Sequence, residues 1–310
     1  MQHTLTDTLP DQGCGVAHYC WNSVLGEVSA SLWYPAFIGT GKAVHYLRVL
    51  QAQAEEGAIP SSECWPLVIM SHGAGGSRFD QYYLAECLAA RGFAVLTVDH
   101  RDIQDGQQRW RNLLTRPLRL TLAQQALRHE VLAENIDFSR PLLIGHSAGA
   151  YDVLVKCGCT PRFELEEEFS SVLTELAAFD SAVCRLASPL GVVLMAPALS
   201  NLFPSESLSS LEIPALIISA DQDGVRMLGT PADYAARLPT VIHHTLSGAG
   251  HYAFVHENPP ILQALNPVVS SGDVRPRKQL HEEIINHLMA FCDRLCHGEL
   301  TLTQGATQYV

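Results

Sequence analysis

No run of apolar residues in this chain approaches the roughly 18 that a membrane-spanning helix needs; the longest, Gly191 to Leu199, is half that. The opening residues, MQHTLTDTLPDQG, carry neither a basic stretch nor an apolar one, so they do not read as a secretory signal. Positive charge is also scarce. Twenty Lys and Arg stand against 32 Asp and Glu, a formal net charge of −12, and no basic cluster offsets it. A nucleic-acid partner is excluded on that balance, because phosphate backbones are held by clustered Lys and Arg.

Paired cysteines are missing too. The nine cysteines are odd in number and scattered, which fits reduced thiols of a cytoplasmic protein rather than a disulfide framework. Cys157-Gly-Cys159 and Cys292-x3-Cys296 have no second ligand pair at zinc spacing, and His243 and His244 are adjacent rather than four apart. No metal and no cofactor is expected. Internal repeats and low-complexity linkers are also absent from the 310 residues.

What is present is a rhythm of short apolar runs and helical segments. VAHYCWN (16–22) and EVSASLWY (27–34) alternate and flank Leu25-Gly26, predicting an antiparallel hairpin. PLVIMS (66–71), FAVLTV (93–98), PLLIG (141–145), GVVLMA (191–196), PALIIS (214–219) and VIHHTL (241–246) read as strands, most of them fully buried. Helices are predicted at about 79–91, 120–135, from Ser147, and 279–295. Residues 40–57 read as a helix-prone insertion with no strand signal. Buried strands alternating with helices predict an α/β fold: a mainly parallel sheet with helices on both faces and an antiparallel N-terminal hairpin. One domain is expected, decorated by insertions at 37–64, 158–189 and 256–278. The second of these, with its acidic tract Glu164 to Glu168, is placed to form a lid or a pocket wall.

Gly145-His146-Ser147-Ala148-Gly149 directly follows the strand PLLIG and precedes a helix-compatible run, AYDVLVK. A strand-to-helix turn of this kind exposes a serine as a nucleophile, and the flanking glycines let neighbouring chain pack against it. A serine hydroxyl needs a base. His251, in SGAGHY after the last predicted strand, stands in the chain order Ser…Asp…His of such sites, whereas His72 and His100 precede the serine. His256 is the nearest substitute. The acid, which orients the imidazole, follows PALIIS, where Asp221 and Asp223 both qualify. Ser71-His72-Gly73-Ala74-Gly75-Gly76 follows another strand and resembles a turn that donates a backbone N–H to an oxyanion; the paired donor is the residue after the serine. The expected donors are the amides of Ala74 and Ala148.

Leu32-Trp33-Tyr34-Pro35-Ala36, PLVIMSHGAGGSR (66–78), GFAVLTVDHRD (92–102) and GHSAG together resemble platelet-activating-factor acetylhydrolases and bacterial proteins called predicted dienelactone hydrolases. The resemblance spans about residues 28–256. It implies the α/β-hydrolase fold and a calcium-independent, cofactor-free carboxylesterase acting on small acyl groups, with Ala74 and Ala148 as oxyanion donors. Two departures stand out. Dienelactone hydrolases use a cysteine where this chain has Ser147. In the animal acetylhydrolases the acid follows the strand next after the serine, but MAPALSNLF (195–203) has no carboxylate, leaving Asp221 or Asp223. Ala220-Asp-Gln-Asp-Gly-Val225 resembles a G-D-x-D-x-V turn whose second aspartate meets the histidine, which favours Asp223. The expected triad is Ser147, Asp223 and His251, acting on a small-molecule ester. Thioester or amide cleavage on the same residues, and a non-catalytic binding protein on a hydrolase scaffold, are the competing functions.

Overall fold

Eleven strands build the molecule in the computed structural model, which describes residues 12–61, 64–163, 170–225, 228–265, 267–270, 272–300 and 308–309. They are β1 (Gln12–Ser23), β2 (Gly26–Phe37), β3 (Lys42–Tyr46), β4 (Leu50–Glu56), β5 (Trp65–Ser71), β6 (Ala94–Val98), β7 (Ile136–His146), β8 (Gly191–Met195), β9 (Ala215–Ala220), β10 (Val241–Leu246) and β11 (Gln308–Tyr309). Their order across one sheet is β11-β10-β9-β8-β7-β5-β6-β2-β1-β4-β3. The block from β10 to β6 is parallel. The β1–β2 hairpin joins it antiparallel, with Ala30 opposite Val98 and Trp33 opposite Val95.

Alternate side chains of the central strands enter two separate cores. Leu67, Ile69, Leu96, Val192 and Leu194 face one side, while Val68, Met70, Val95, Val193 and Met195 face the other. The first core is closed by helices α2 (Asn112–Leu127), α3 (Gly149–Lys156), α4 (Ser170–Ala177), α5 (Ser205–Ser209) and α6 (Pro231–Ala235). The second is closed by α1 (Tyr82–Ala89) and α8 (Arg277–Cys296). A strand covered on both faces buries every side chain, which is why these segments read as unbroken apolar runs. The short α7 (Pro260–Leu265) lies in the loop before α8.

Two expectations fail. Residues 40–57 are not helical; they form the β3–β4 hairpin, and β4 pairs with β1 at Gly15–Glu55 and Val16–Glu56. Helix propensity is a weak local preference, and here the open edge of β1 and a set of buried contacts override it. Leu50 and Ala54 are buried, and Tyr46 accepts a hydrogen bond from Trp33 Nε1 at 2.7 Å. The buried Glu86 accepts from Tyr46 and from the amides of Gln53 and Ala54. The turn carries no Asn-Gly signal: Leu47 and Arg48 occupy the two left-handed positions that usually take such residues, with φ of 50° and 66°.

The second failure concerns the helix expected at 120–135. It starts earlier, at Asn112, and ends at Leu127, with a separate 3₁₀ turn over Val131–Asn135. Pro117 argues against helix at 112–119, since it lacks the N–H that would bond the carbonyl of Leu113. The Tyr151 hydroxyl of α3 donates to that carbonyl instead, at 2.8 Å. The acidic tract Glu164 to Glu168 lies outside the described residues.

Candidate active site

Ser147 sits between β7 and α3 with φ of +52°, a left-handed value that a side chain-bearing residue adopts only under constraint. The constraint is visible. The Ser147 amide bonds Met195 O at 2.9 Å, and its carbonyl accepts from Ala198 N at 3.2 Å and Ala150 N at 3.1 Å. A Cβ at Gly145 would lie 2.3 Å from Gly149 O, and one at Gly149 would lie 2.3 Å from Ser71 O. Both positions are therefore closed to larger residues, which accounts for the G-x-S-x-G spacing.

Ser147 Oγ lies 2.9 Å from His251 Nε2, and His251 Nδ1 lies 2.8 Å from Asp223 Oδ2. His251 opens a 3₁₀ turn after β10. The His251 and Asp223 side chains are 7% and 9% exposed, so their hydrogen bond is largely withdrawn from water. Asp223 is steadied by Val225 N, which donates to its other oxygen at 2.8 Å. Asp221 points elsewhere: it accepts from Gly248 N at 2.7 Å and from the Ser247 hydroxyl, bracing the loop that carries His251. His256 packs on Tyr82 in the same cleft and has no bond to Ser147. The structure thus brings Ser147, His251 and Asp223 into one line and leaves Asp221 and His256 outside it.

Behind this line stands His146, whose Nε2 donates to the His251 carbonyl at 3.2 Å. Burial, reinforced by the neighbouring His251, pushes its pKa down to about 3, so it stays neutral and holds His251 without competing for protons.

Ala74 lies on the glycine-rich loop after β5, and Ala148 directly follows Ser147. Neither amide donates to another protein atom among the described residues. Each is aimed by the carbonyl of its own peptide unit, since C=O and N–H of a trans peptide point in opposite directions. For Ala148 that carbonyl is Ser147 O, already held as above. For Ala74 it is Gly73 O, which accepts from His72 Nδ1 at 2.7 Å and from Gly76 N at 3.2 Å.

The loop rests on a buried polar cluster that sequence reasoning does not find. Arg116 Nε donates to Asp152 Oδ2 at 2.9 Å and its Nη1 to Asp102 Oδ2 at 2.7 Å; its other terminal nitrogen donates to the His72 carbonyl. Asp102 also accepts from Gly75 N at 2.7 Å. The Ser71 hydroxyl donates to Asp152 at 2.7 Å and accepts from His100 Nε2 at 2.8 Å. Burial, then the Arg116 charge, depress the pKa of both His72 and His100, so both imidazoles are neutral donors. Burial raises Asp152 to about 6 against the pull of Arg116. The available signal was Asp152 itself, a carboxylate in the otherwise apolar run AYDVLV, and such a residue asks for a cation.

A cleft of about 350 Å³ opens over Ser147 and His251. Its walls include Leu47 from the β3–β4 turn, and His256, Asn258, Leu265 and Val269 from the insertion before α8. The described residues of 158–189 do not line it. Arg277 pins the wall by bonding Val269 O at 2.8 Å and Asp273 at 2.6 Å, and Asp273 in turn accepts from Gly250 N beside His251. Among the described residues no group of three or more His, Cys, Asp or Glu could hold a metal ion, and no helix is long and apolar enough to cross a membrane.

Comparison with known proteins agrees with this architecture. Residues 41–107, which include the glycine-rich loop and Asp102, match the family model of platelet-activating factor acetylhydrolase, isoform II. No curated protein matches the sequence. Among solved structures, the ferulic acid esterase from Streptomyces cinnamoneus superimposes with a TM-score of 0.60 at 20% identity, over 93% of this chain and 91% of that one. The chain is an α/β-hydrolase by fold, similar over residues 41–107 to the platelet-activating factor acetylhydrolases.

Proposed function

We propose that this protein is a serine hydrolase that cleaves a carboxylic ester through an acyl-enzyme on Ser147. The observation that carries the proposal is the line Ser147 Oγ–His251 Nε2–Asp223, with spacings of 2.9 and 2.8 Å, at an open cleft and beside the Ala74 and Ala148 amides, which have no partner among the described residues. His251 takes the Ser147 proton as Oγ attacks the ester carbonyl. The carbonyl oxygen gains negative charge, which the Ala74 and Ala148 amides stabilise. The C–O bond to the alcohol then breaks, and His251 returns the proton to the departing alkoxide. A water, deprotonated by His251, attacks the acyl carbonyl; the bond to Ser147 Oγ breaks, His251 returns the proton to that oxygen, and the acid is released. Asp223 holds the Nδ1–H tautomer and stabilises the imidazolium in both halves. The likeness to acetylhydrolases and to a ferulic acid esterase supports an ester as the bond cleaved. The nine cysteines are free thiols, which supports a reducing, cytoplasmic setting.

The test is a panel of p-nitrophenyl esters with a thioester and an anilide alongside, using Ser147→Ala as the blank. Ester turnover is expected to vanish in that variant, and a fluorophosphonate probe to label the wild type at Ser147. Full turnover or labelling in Ser147→Ala would move the nucleophile elsewhere. Faster turnover of the thioester or anilide would replace the ester as substrate class.

A further inference from the structure

A second cleft, of about 230 Å³, lies beside the first and shares only Ala74 with it. Ala148 lines this second cleft, whereas Ser147 and His251 line the first. Its walls are largely apolar: Ile103, Trp110, Leu113, Tyr151 and Leu199. Ala74 and Ala148, whose amides have no partner among the described residues, both line it.

This division has a chemical consequence, which rests on the ester-hydrolase reading above. The leaving alcohol must receive its proton from His251 Nε2, so its oxygen must come within hydrogen-bond reach of that atom. The alcohol part of the substrate therefore occupies the cleft that His251 lines. The carbonyl oxygen is fixed between the Ala74 and Ala148 amides. The remaining substituent on the carbonyl carbon, the acyl chain, is directed away from His251, past those amides and into the second cleft.

We infer that the second cleft is the acyl site, and that it takes an acyl group of medium size, an alkyl chain or a single ring, rather than acetyl alone. At about 30 Å³ per water-sized group, a 230 Å³ space holds roughly seven such groups beyond the carbonyl. An acetyl methyl fills one. Trp110 in its lining adds aromatic surface that suits either a chain or a ring. The floor is rigid, because Arg116 and Asp102 are tied into the buried cluster beneath the glycine-rich loop. Ile103 is held by Asn112, which bonds both its amide, at 2.9 Å, and its carbonyl, at 3.0 Å.

The experiment fixes p-nitrophenol as leaving group and lengthens the acyl chain from acetate through butyrate to hexanoate. Each methylene buried is worth about fourfold in binding, so kcat/KM is expected to rise at least tenfold from acetate to hexanoate. Ile103→Trp, which fills the second cleft from a half-buried wall position, is expected to cut the hexanoate-to-acetate ratio tenfold or more. Leu113→Phe provides a second filling variant if the first does not fold. Val269→Trp, in the first cleft, is expected to leave that ratio within about twofold. It should instead change the ranking of ethyl, benzyl and p-nitrophenyl hexanoates, which Ile103→Trp lowers by a common factor. The reverse pattern, or a wild type that prefers acetate, overturns the assignment. Loss of fluorophosphonate labelling at Ser147 would count against the nucleophile, and not against the division of the clefts.

Discussion

Asp221 and Asp223 stand two residues apart at the end of one strand, yet their carboxylates have different partners. Asp223 meets His251 Nδ1 at 2.8 Å, while Asp221 accepts from Gly248 N at 2.7 Å. The first contact fixes which nitrogen of the imidazole carries the proton; the second fixes only the loop. Asp223→Asn preserves shape but favours the wrong tautomer, a change that costs about 10⁴ in kcat in the best-studied serine protease. Asp223→Asn is expected to lose at least about a thousandfold in kcat on p-nitrophenyl esters, and Asp221→Asn at most about tenfold. Steady-state kinetics on both folded variants check this, and equal losses would remove Asp223 from its proposed role. The turn Ala220 to Val225 already pointed to Asp223 in the sequence, through its likeness to a known motif. Its geometry was not legible there, because a carboxylate's direction depends on which amides the neighbouring loop presents.

At the scale of elements, α2 shows a local defect repaired from outside. Pro117 deprives Leu113 of its helical partner, and the Tyr151 hydroxyl supplies the missing bond at 2.8 Å. Tyr151 is fully buried, so no water replaces it. Leaving that carbonyl unpaired costs about 1–3 kcal/mol. Tyr151→Phe is expected to destabilise by that amount in urea unfolding. Pro117→Ala restores an N–H to the helix, so in the Tyr151→Phe background it is expected to recover part of the loss, whereas in the wild type it offers the carbonyl a partner it already has. A double-mutant cycle reads the coupling; strict additivity would show that Tyr151 acts through packing instead. The strand β4 teaches the complementary lesson. LQAQAEE favours a helix by composition, but the unpaired edge of β1 and the buried Glu86 carboxylate draw its amides into a sheet.

Over the whole molecule, several imidazoles are buried in neutral form. His146 is pushed down to about 3 and His281 to about 4, both chiefly by burial. His281 stacks on Tyr83 at 3.6 Å and donates to Val255 O at 3.0 Å. An unfolded histidine titrates near 6.5, so as pH falls below that value the unfolded chain takes up protons that the folded chain refuses. Stability is therefore complete above about pH 6.5 and declines between 6.5 and the folded-state values near 3–4. A depression from about 6.5 to about 4 corresponds to at most about 3 kcal/mol from His281 by pH 4. His281→Gln keeps a donor for Val255 but does not titrate. Urea midpoints measured from pH 7.5 to 4 are expected to fall less steeply in the variant than in the wild type. Parallel curves would show that His281 ionises without penalty.

The sequence by itself determined the α/β class, the strands of the parallel block and the N-terminal hairpin, and it singled out Ser147 and His251 while leaving Asp221 and Asp223 as alternatives beside them. Those features are written in short-range patterns: an apolar run bounded by turns, a glycine on each side of a serine, a histidine after the last long strand. Only the tertiary structure decided that residues 42–56 are strands and that Arg116 and Asp152 pair beneath the glycine-rich loop. It alone also placed the walls of the Ser147 cleft on the β3–β4 turn and on the insertion before α8. The physical reason is distance along the chain. Propensity and periodicity act between neighbours, whereas an open sheet edge, a buried charge and a cavity wall are satisfied by residues dozens of positions away.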